Sequence, residues 1–159
     1  MKILYLIRHA KARKDIPNIA DIDRPLAKEG EEQISLIGKR LKKYKVIPDV
    51  IYSSPATRAL DTAKRIARII DFPIKKIEVV ESIYESSVPR LINIIKKIDD
   101  SVEAAMLFGH NPEFFDLADH LAPGSIEGFP TCGVLALKLD ISWGKTSAKC
   151  GKIVFFECP

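Results

Sequence analysis

Residues 2–7, Lys2-Ile3-Leu4-Tyr5-Leu6-Ile7, form a nearly continuous apolar run that stops at Arg8. An unbroken run, without apolar/polar alternation, is the pattern of a parallel strand covered on both faces. Such a strand needs helices above and below it, so this one segment already points to an α/β fold. The run is too short for a signal peptide and far too short to span a bilayer, so no membrane segment is expected.

The remaining pattern continues that rhythm. A polar loop is expected over roughly 10–25, then a helix to about Tyr44 with Ile34, Ile37, Leu41 and Tyr44 on one stripe. Residues 49–52 read as a short strand. Ser53-Ser54-Pro55 reads as a helix start, with serine as cap and proline at the first helical position, and apolar residues at helical spacing carry that helix to about residue 70. A strand at 76–80, a helix at 88–98 and a strand at 103–108 closed by Gly109-His110 follow. Asn111-Pro112 repeats the cap-then-proline start for a helix to about Leu121, and 134–139 and 152–156 read as paired strands around Trp143-Gly144. The expected fold is a three-layer α/β domain spanning residues 1–159: a mostly parallel central sheet, helices on both faces and a C-terminal antiparallel strand pair.

Charge narrows the function. The net charge is only +4, but residues 1–80 carry 18 Lys/Arg against 10 Asp/Glu and the remainder 7 against 11. A basic first half suits an anionic substrate or partner. No basic run is interleaved with aromatics, so nucleic acid is not expected. Three cysteines, Cys132, Cys150 and Cys158, without Cys-x-x-Cys spacing, read as reduced thiols of a cytoplasmic protein.

Ligands in open α/β sheets bind beyond the carboxyl ends of the strands. Three of the expected strands end in Arg8-His9, in Ser53-Ser54 followed by Arg58, and in Gly109-His110. Arginine holds two phosphate oxygens in a planar fork, and neutral histidine is a competent nucleophile toward phosphorus. Singly, these residues have ordinary explanations; Arg58, for instance, could pair with Asp61 along its own helix. Together, at corresponding strand ends, they describe a phosphate site. His9 and His110 lack carboxylate or cysteine companions at ligand spacing, so neither metal nor other cofactor is expected.

Arg8-His9-Ala10, Ser53-Ser54-Pro55-Ala56-Thr57-Arg58-Ala59 and Gly109-His110-Asn111 together resemble the histidine phosphatase superfamily, which includes the phosphoglycerate mutases. The short length, the Asp21-Ile22-Asp23-Arg24-Pro25-Leu26 stretch and Pro130-Thr131-Cys132-Gly133 resemble its SixA-type branch of phosphohistidine phosphatases. That resemblance implies a phosphoglycerate mutase-like fold and a phospho-His9 intermediate. It implies Arg8 and Arg58 as phosphoryl clamps, His110 as a further contact, Arg24 reaching in from its loop, and Asp21 near the same site. It departs from the commonest motif in having Ala10 where glycine usually stands, and Ala27 where a hydroxyl helix cap is frequent.

Larger members carry a general-acid carboxylate on an insertion between the second arginine and the second histidine. Here that interval has no room for a sizeable insertion; it offers Glu81, the possible proton donor, and Glu85. An alkyl phosphate leaves as a basic alkoxide and needs a proton from the enzyme, whereas phosphohistidine can be protonated beforehand on its other ring nitrogen. The expected substrate is therefore phosphohistidine on a phosphotransfer protein of a phosphorelay. A small-molecule phosphomonoesterase and a non-catalytic phosphate-binding module are the alternatives.

Overall fold

A computed structural model describes residues 1–159. Its six strands are β1 (Lys2–Arg8), β2 (Val50–Ser53), β3 (Glu78–Val79), β4 (Ala104–Gly109), β5 (Val134–Leu139) and β6 (Gly151–Glu157). Four helices connect them: α1 (Lys28–Lys43), α2 (Thr57–Ile69), α3 (Val88–Lys96) and α4 (Glu113–Leu121). The strands lie in the order β3-β2-β4-β1-β5-β6. The pairs β2·β3, β2·β4 and β1·β4 are parallel, while β5 runs antiparallel to both β1 and β6. This is the mostly parallel sheet with a C-terminal antiparallel pair that the apolar pattern predicts.

Alternate residues of the central strands serve opposite cores, which is why their runs are unbroken in sequence. Leu4, Leu6, Ala105 and Leu107 pack under α3 and α4, with Leu91, Ile95, Phe114 and Leu117. Ile7, Met106 and Phe108 pack under α1 and α2, with Ile34, Ile37, Leu41, Ala63 and Ile66. Trp143 is fully buried, and its indole N–H donates to the Val102 carbonyl at 2.7 Å, so it anchors the β5–β6 connection. No helix is long and apolar enough to cross a membrane.

Several sequence-derived boundaries need correction. Tyr44 leaves the apolar stripe of α1 and stands exposed, its hydroxyl bonded to Glu157. The strand at 76–80 shrinks to β3, because residues 74–76 form a 3-10 turn and β2 offers partners only for Glu78 and Val79. Ala27 caps α1 with no side-chain bond, as its methyl requires.

Two predicted caps fail at the strand ends that feed the site. α2 starts at Thr57 behind an Ala56 cap that makes no side-chain bond, and α4 starts at Glu113 behind Pro112. Ser54 and Asn111 are used otherwise, as described below. The genuine serine cap is Ser87 on α3, whose hydroxyl accepts from the Arg90 N–H at 3.3 Å.

Candidate active site

The register of the sheet sets the site. Arg8 of β1 stands opposite Gly109 of β4, and Ser53 of β2 stands opposite Phe108. The residues that follow, His9, His110 and Ser54, therefore emerge side by side at one sheet edge. Main-chain bonds lock this edge: His9 N–H to Gly109 O at 3.0 Å, and Ser54 N–H to Phe108 O at 3.0 Å. Cys132, at φ +59°, donates its N–H to both the Arg8 and His9 carbonyls. The Pro130–Gly133 stretch is thus the turn that closes the end of β1. Gly109 has a steric reason, since a Cβ there would lie 2.5 Å from the Phe114 ring.

Arg8, His9, Arg24, Arg58 and His110 line a single cleft of about 530 Å³, with Lys11, Ala12, Lys14, Asn111, Pro130 and Thr131. All four motif residues and Arg24 are therefore brought together. Glu81 is exposed at the start of a 3-10 turn and is not among the residues lining the cleft. Glu85, also exposed, is not among them either. No group of three His, Cys, Asp or Glu side chains converges in a way that could hold a metal ion.

The histidines differ in their partners. His9 Nδ1 lies 2.7 Å from the Ala10 carbonyl, which can only accept, so Nδ1 carries the proton and Nε2 keeps its lone pair. Burial pushes the His9 imidazole down to about 3; the Ala10 bond opposes this, while His110, Arg58 and Arg8 add to it. His110 is held down to about 4, first by burial and then by Arg58. Its Nε2 meets the Ser54 hydroxyl at 2.7 Å, while its Nδ1 is buried with no protein partner. Ser54 also accepts the Ala56 N–H at 3.1 Å. The serine expected to cap a helix instead orients a histidine. Ring centres of His9 and His110 are 5.2 Å apart.

Arg8 donates from Nη1 to the Phe129 carbonyl at 3.0 Å, and the Asn111 amide N–H₂ donates to the same carbonyl at 2.8 Å. Arg58 is buried, and it pairs not with Asp61 but with Asp21: Nη1 donates to the Asp21 carbonyl at 2.8 Å and Nη2 to its carboxylate at 3.1 Å. The same carboxylate accepts from the Tyr84 hydroxyl at 2.6 Å and from Arg24 Nη1 at 3.1 Å. Tyr84, Arg24 and Arg58 hold the Asp21 carboxyl well below the usual carboxylate range, and Asp21 in turn pushes the Tyr84 phenol up to about 12. Tyr84 also meets the His110 ring edge-on, with centres 5.6 Å apart. Thr62 completes the frame: it accepts the Ala10 N–H at 3.1 Å and donates to the Arg58 carbonyl at 2.6 Å, tying β1 to α2.

Sequence reasoning missed Tyr84, Thr62 and the true role of Ser54. Nothing in their spacing marks them, because each acts across elements distant in the chain. Asp21 was placed near the site only through the family resemblance.

Two neutral imidazoles and three guanidiniums around one open cleft define an oxyanion-handling enzyme site on an α/β sheet. The comparisons with known proteins then make the class specific. The sequence model of the histidine phosphatase superfamily (branch 1) matches residues 4–104, and the chain belongs to that family. An uncharacterised protein of Mycobacterium tuberculosis is 31% identical over 96% of this chain and 99% of its own. The structure of a candidate phosphohistidine phosphatase SixA from Agrobacterium tumefaciens superposes with TM-score 0.85 at 25% identity, covering 99% of this chain and 98% of that one. A protein histidine phosphatase SixA complexed with tungstate shares the fold, at TM-score 0.85 and 22% identity over 99% and 97% of the two chains. The fold is thus phosphoglycerate mutase-like and of SixA type.

Proposed function

We propose that residues 1–159 act as one domain, a cytoplasmic phosphohistidine phosphatase that works through a phospho-His9 intermediate without a metal. The observation that carries the reading is His9 itself: a buried, neutral imidazole whose Nδ1–H is spent on Ala10, leaving Nε2 as the free nucleophile in a cleft shared with Arg8 and Arg58.

In this reading His9 Nε2 attacks the phosphorus, and the P–N bond to the substrate imidazole breaks. The leaving imidazole carries off the bonding pair and, already protonated on its other nitrogen, departs neutral. Water then attacks phospho-His9; its oxygen bonds to phosphorus, both its protons stay with the phosphate released, and His9 regains its lone pair. Arg8 and Arg58 stabilise charge on the equatorial oxygens, and Arg24 and His110 supply further contacts.

The choice of a P–N bond rests on the cleft wall. None of its eleven lining residues is Asp or Glu, and Asp21, the carboxylate bonded to Arg58 and Arg24, is kept ionised by its three donors. A protein-bound phosphohistidine, as on a phosphotransfer protein, brings its own proton and does not need theirs. This reading gives no donor role to Glu81.

A histidine-phosphorylated peptide is expected to show about 10²-fold or more higher kcat/KM than a sugar phosphate, the lower end of what a missing general acid costs the ester. Equal turnover, or preference for the ester, would overturn the substrate assignment.

The pH dependence follows from the lowered histidine values. Protonation removes the His9 lone pair, and a depressed pKa lets that lone pair survive to lower pH. Label formation on His9, corrected for ionisation of the phosphoryl donor, should stay level from about pH 8 to about pH 5 and fall only below that. An inflection near the ordinary histidine value would contradict a buried, neutral nucleophile.

A further inference from the structure

The cleft continues beyond its catalytic residues. Lys11, Ala12 and Lys14 line it, and they also line an adjoining cavity of about 390 Å³ whose other walls are Arg13, Asp15, Ala27 and Lys28. Four cations there face one carboxylate, and Asp15 is already held by Arg13 at 3.0 Å. Lys11 approaches Glu29 only to 3.9 Å, and Lys14 and Lys28 form no ion pair. All four cations are exposed.

The backbone beneath them is fixed. Ala12 bridges Leu26 antiparallel, Arg13 N–H donates to Pro25 O at 2.9 Å, and Ala27 N–H donates to Lys11 O at 2.9 Å. Arg24 Nε donates to the Arg13 carbonyl at 2.9 Å, joining the platform to the arginine cluster of the cleft. Lys11 is clamped from below: a Cβ on Gly30 would lie 2.2 Å from its carbonyl oxygen, so α1 packs directly on it. Firm backbone with long, wet cationic tips does not make a tight second phosphate pocket, which would bury an arginine fork. It attracts spread negative charge at a distance and tolerates variation in where that charge sits.

We propose that Lys11, Arg13, Lys14 and Lys28 form a docking surface for a protein substrate whose phosphorylated side chain is surrounded by carboxylates. The proposal rests on the phosphatase reading for what enters the cleft, while the docking itself is separable from the chemistry. The acidic neighbours of the phosphorylated residue settle on this platform and present the phosphoryl group to His9.

The test uses the full chain and two fluorescent peptides of equal length, each with one central unphosphorylated histidine. One carries Asp and Glu around it, the other Ser and Asn, and binding is read by anisotropy. The acidic peptide should bind, and should weaken about tenfold between roughly 50 and 300 mM salt as screening shortens the field. The neutral peptide should not bind. R13E/K28E, which alters charges outside the catalytic cleft, should weaken the acidic peptide about tenfold, and Lys28→Gln alone about two- to threefold.

Lys28 is the exposed first residue of α1, where an acidic or neutral side chain suits the helix dipole, so the single variant serves if the double one folds poorly. Equal binding of both peptides, or unchanged binding by the variants, overturns the proposal. So does a small bisphosphate whose turnover falls in R13E/K28E while peptide binding does not. Absence of turnover on any histidine-phosphorylated peptide would count against the phosphatase reading alone, because binding of the acidic peptide is read without catalysis.

Discussion

His9→Ala is expected to lower kcat by about 10⁴- to 10⁶-fold while leaving binding of tungstate or vanadate within a few-fold of wild type. The two observables separate because the groups differ in what they supply. Arg8, Arg58 and Arg24 bring the charge that holds an oxyanion, and they keep their own anchors on Phe129, Asp21 and Arg13 when the imidazole is removed. In the proposed mechanism His9 contributes the lone pair that forms the new bond, and no neighbour can replace it: His110 is engaged with Ser54 through Nε2, and its Nδ1 is buried. Rapid-quench labelling reads the effect directly. Wild type should acquire an acid-labile, base-stable phosphoryl group, and His9→Ala should acquire none. A wild-type protein that never labels, or a variant that labels as well, would leave the covalent route without support.

Arg58→Ala should cost about 10²- to 10³-fold in kcat, the usual scale for removing one donor aimed at transition-state charge. Asp21→Asn should cost about tenfold, since it keeps an acceptor for Tyr84 but gives up the ionic hold on a buried guanidinium. The informative measurement is the double-mutant cycle: Asp21→Asn should add little once Arg58 is gone, because Asp21 is a positioning residue that acts through Arg58. The loss should appear in kcat, with KM moving little, as expected when alignment in the transition state is lost. Additive effects would mean that Asp21 contributes independently. A rise in kcat for Asp21→Asn would mean that the carboxylate holds Arg58 away from the substrate, against the role assigned here.

Much of this molecule is readable along the chain, and the failures have a common cause. Unbroken apolar runs at β1 and β4 announce strands buried on both faces, and the polar groups that end them, Arg8-His9 and Gly109-His110, fall where a parallel sheet binds ligands. The misreadings cluster at the site. Ser54 and Asn111 carry the chemistry of helix caps, so local rules place them there, yet a bond to His110 and a bond to Phe129 take precedence. Side-chain rules of this kind weigh only near neighbours in sequence, and 56 residues separate Ser54 from its histidine. Chain order points to Glu81 as an acid, whereas the group that the turn at Glu81–Ile83 delivers beside His110 is the phenol of Tyr84.

Residue order alone settled the fold class and the direction of the main strands, and it marked the groups proposed to handle a phosphoryl group, because periodicity and residue chemistry are local properties. It could not settle which of those groups are free to act. That depended on which hydrogen bonds each one spends: Nδ1 of His9 on Ala10, Arg58 on Asp21, Asp21 on three donors at once. Those pairings span tens of residues, and only the packing of β1, β2 and β4 with the Asp21 loop brings the partners within reach.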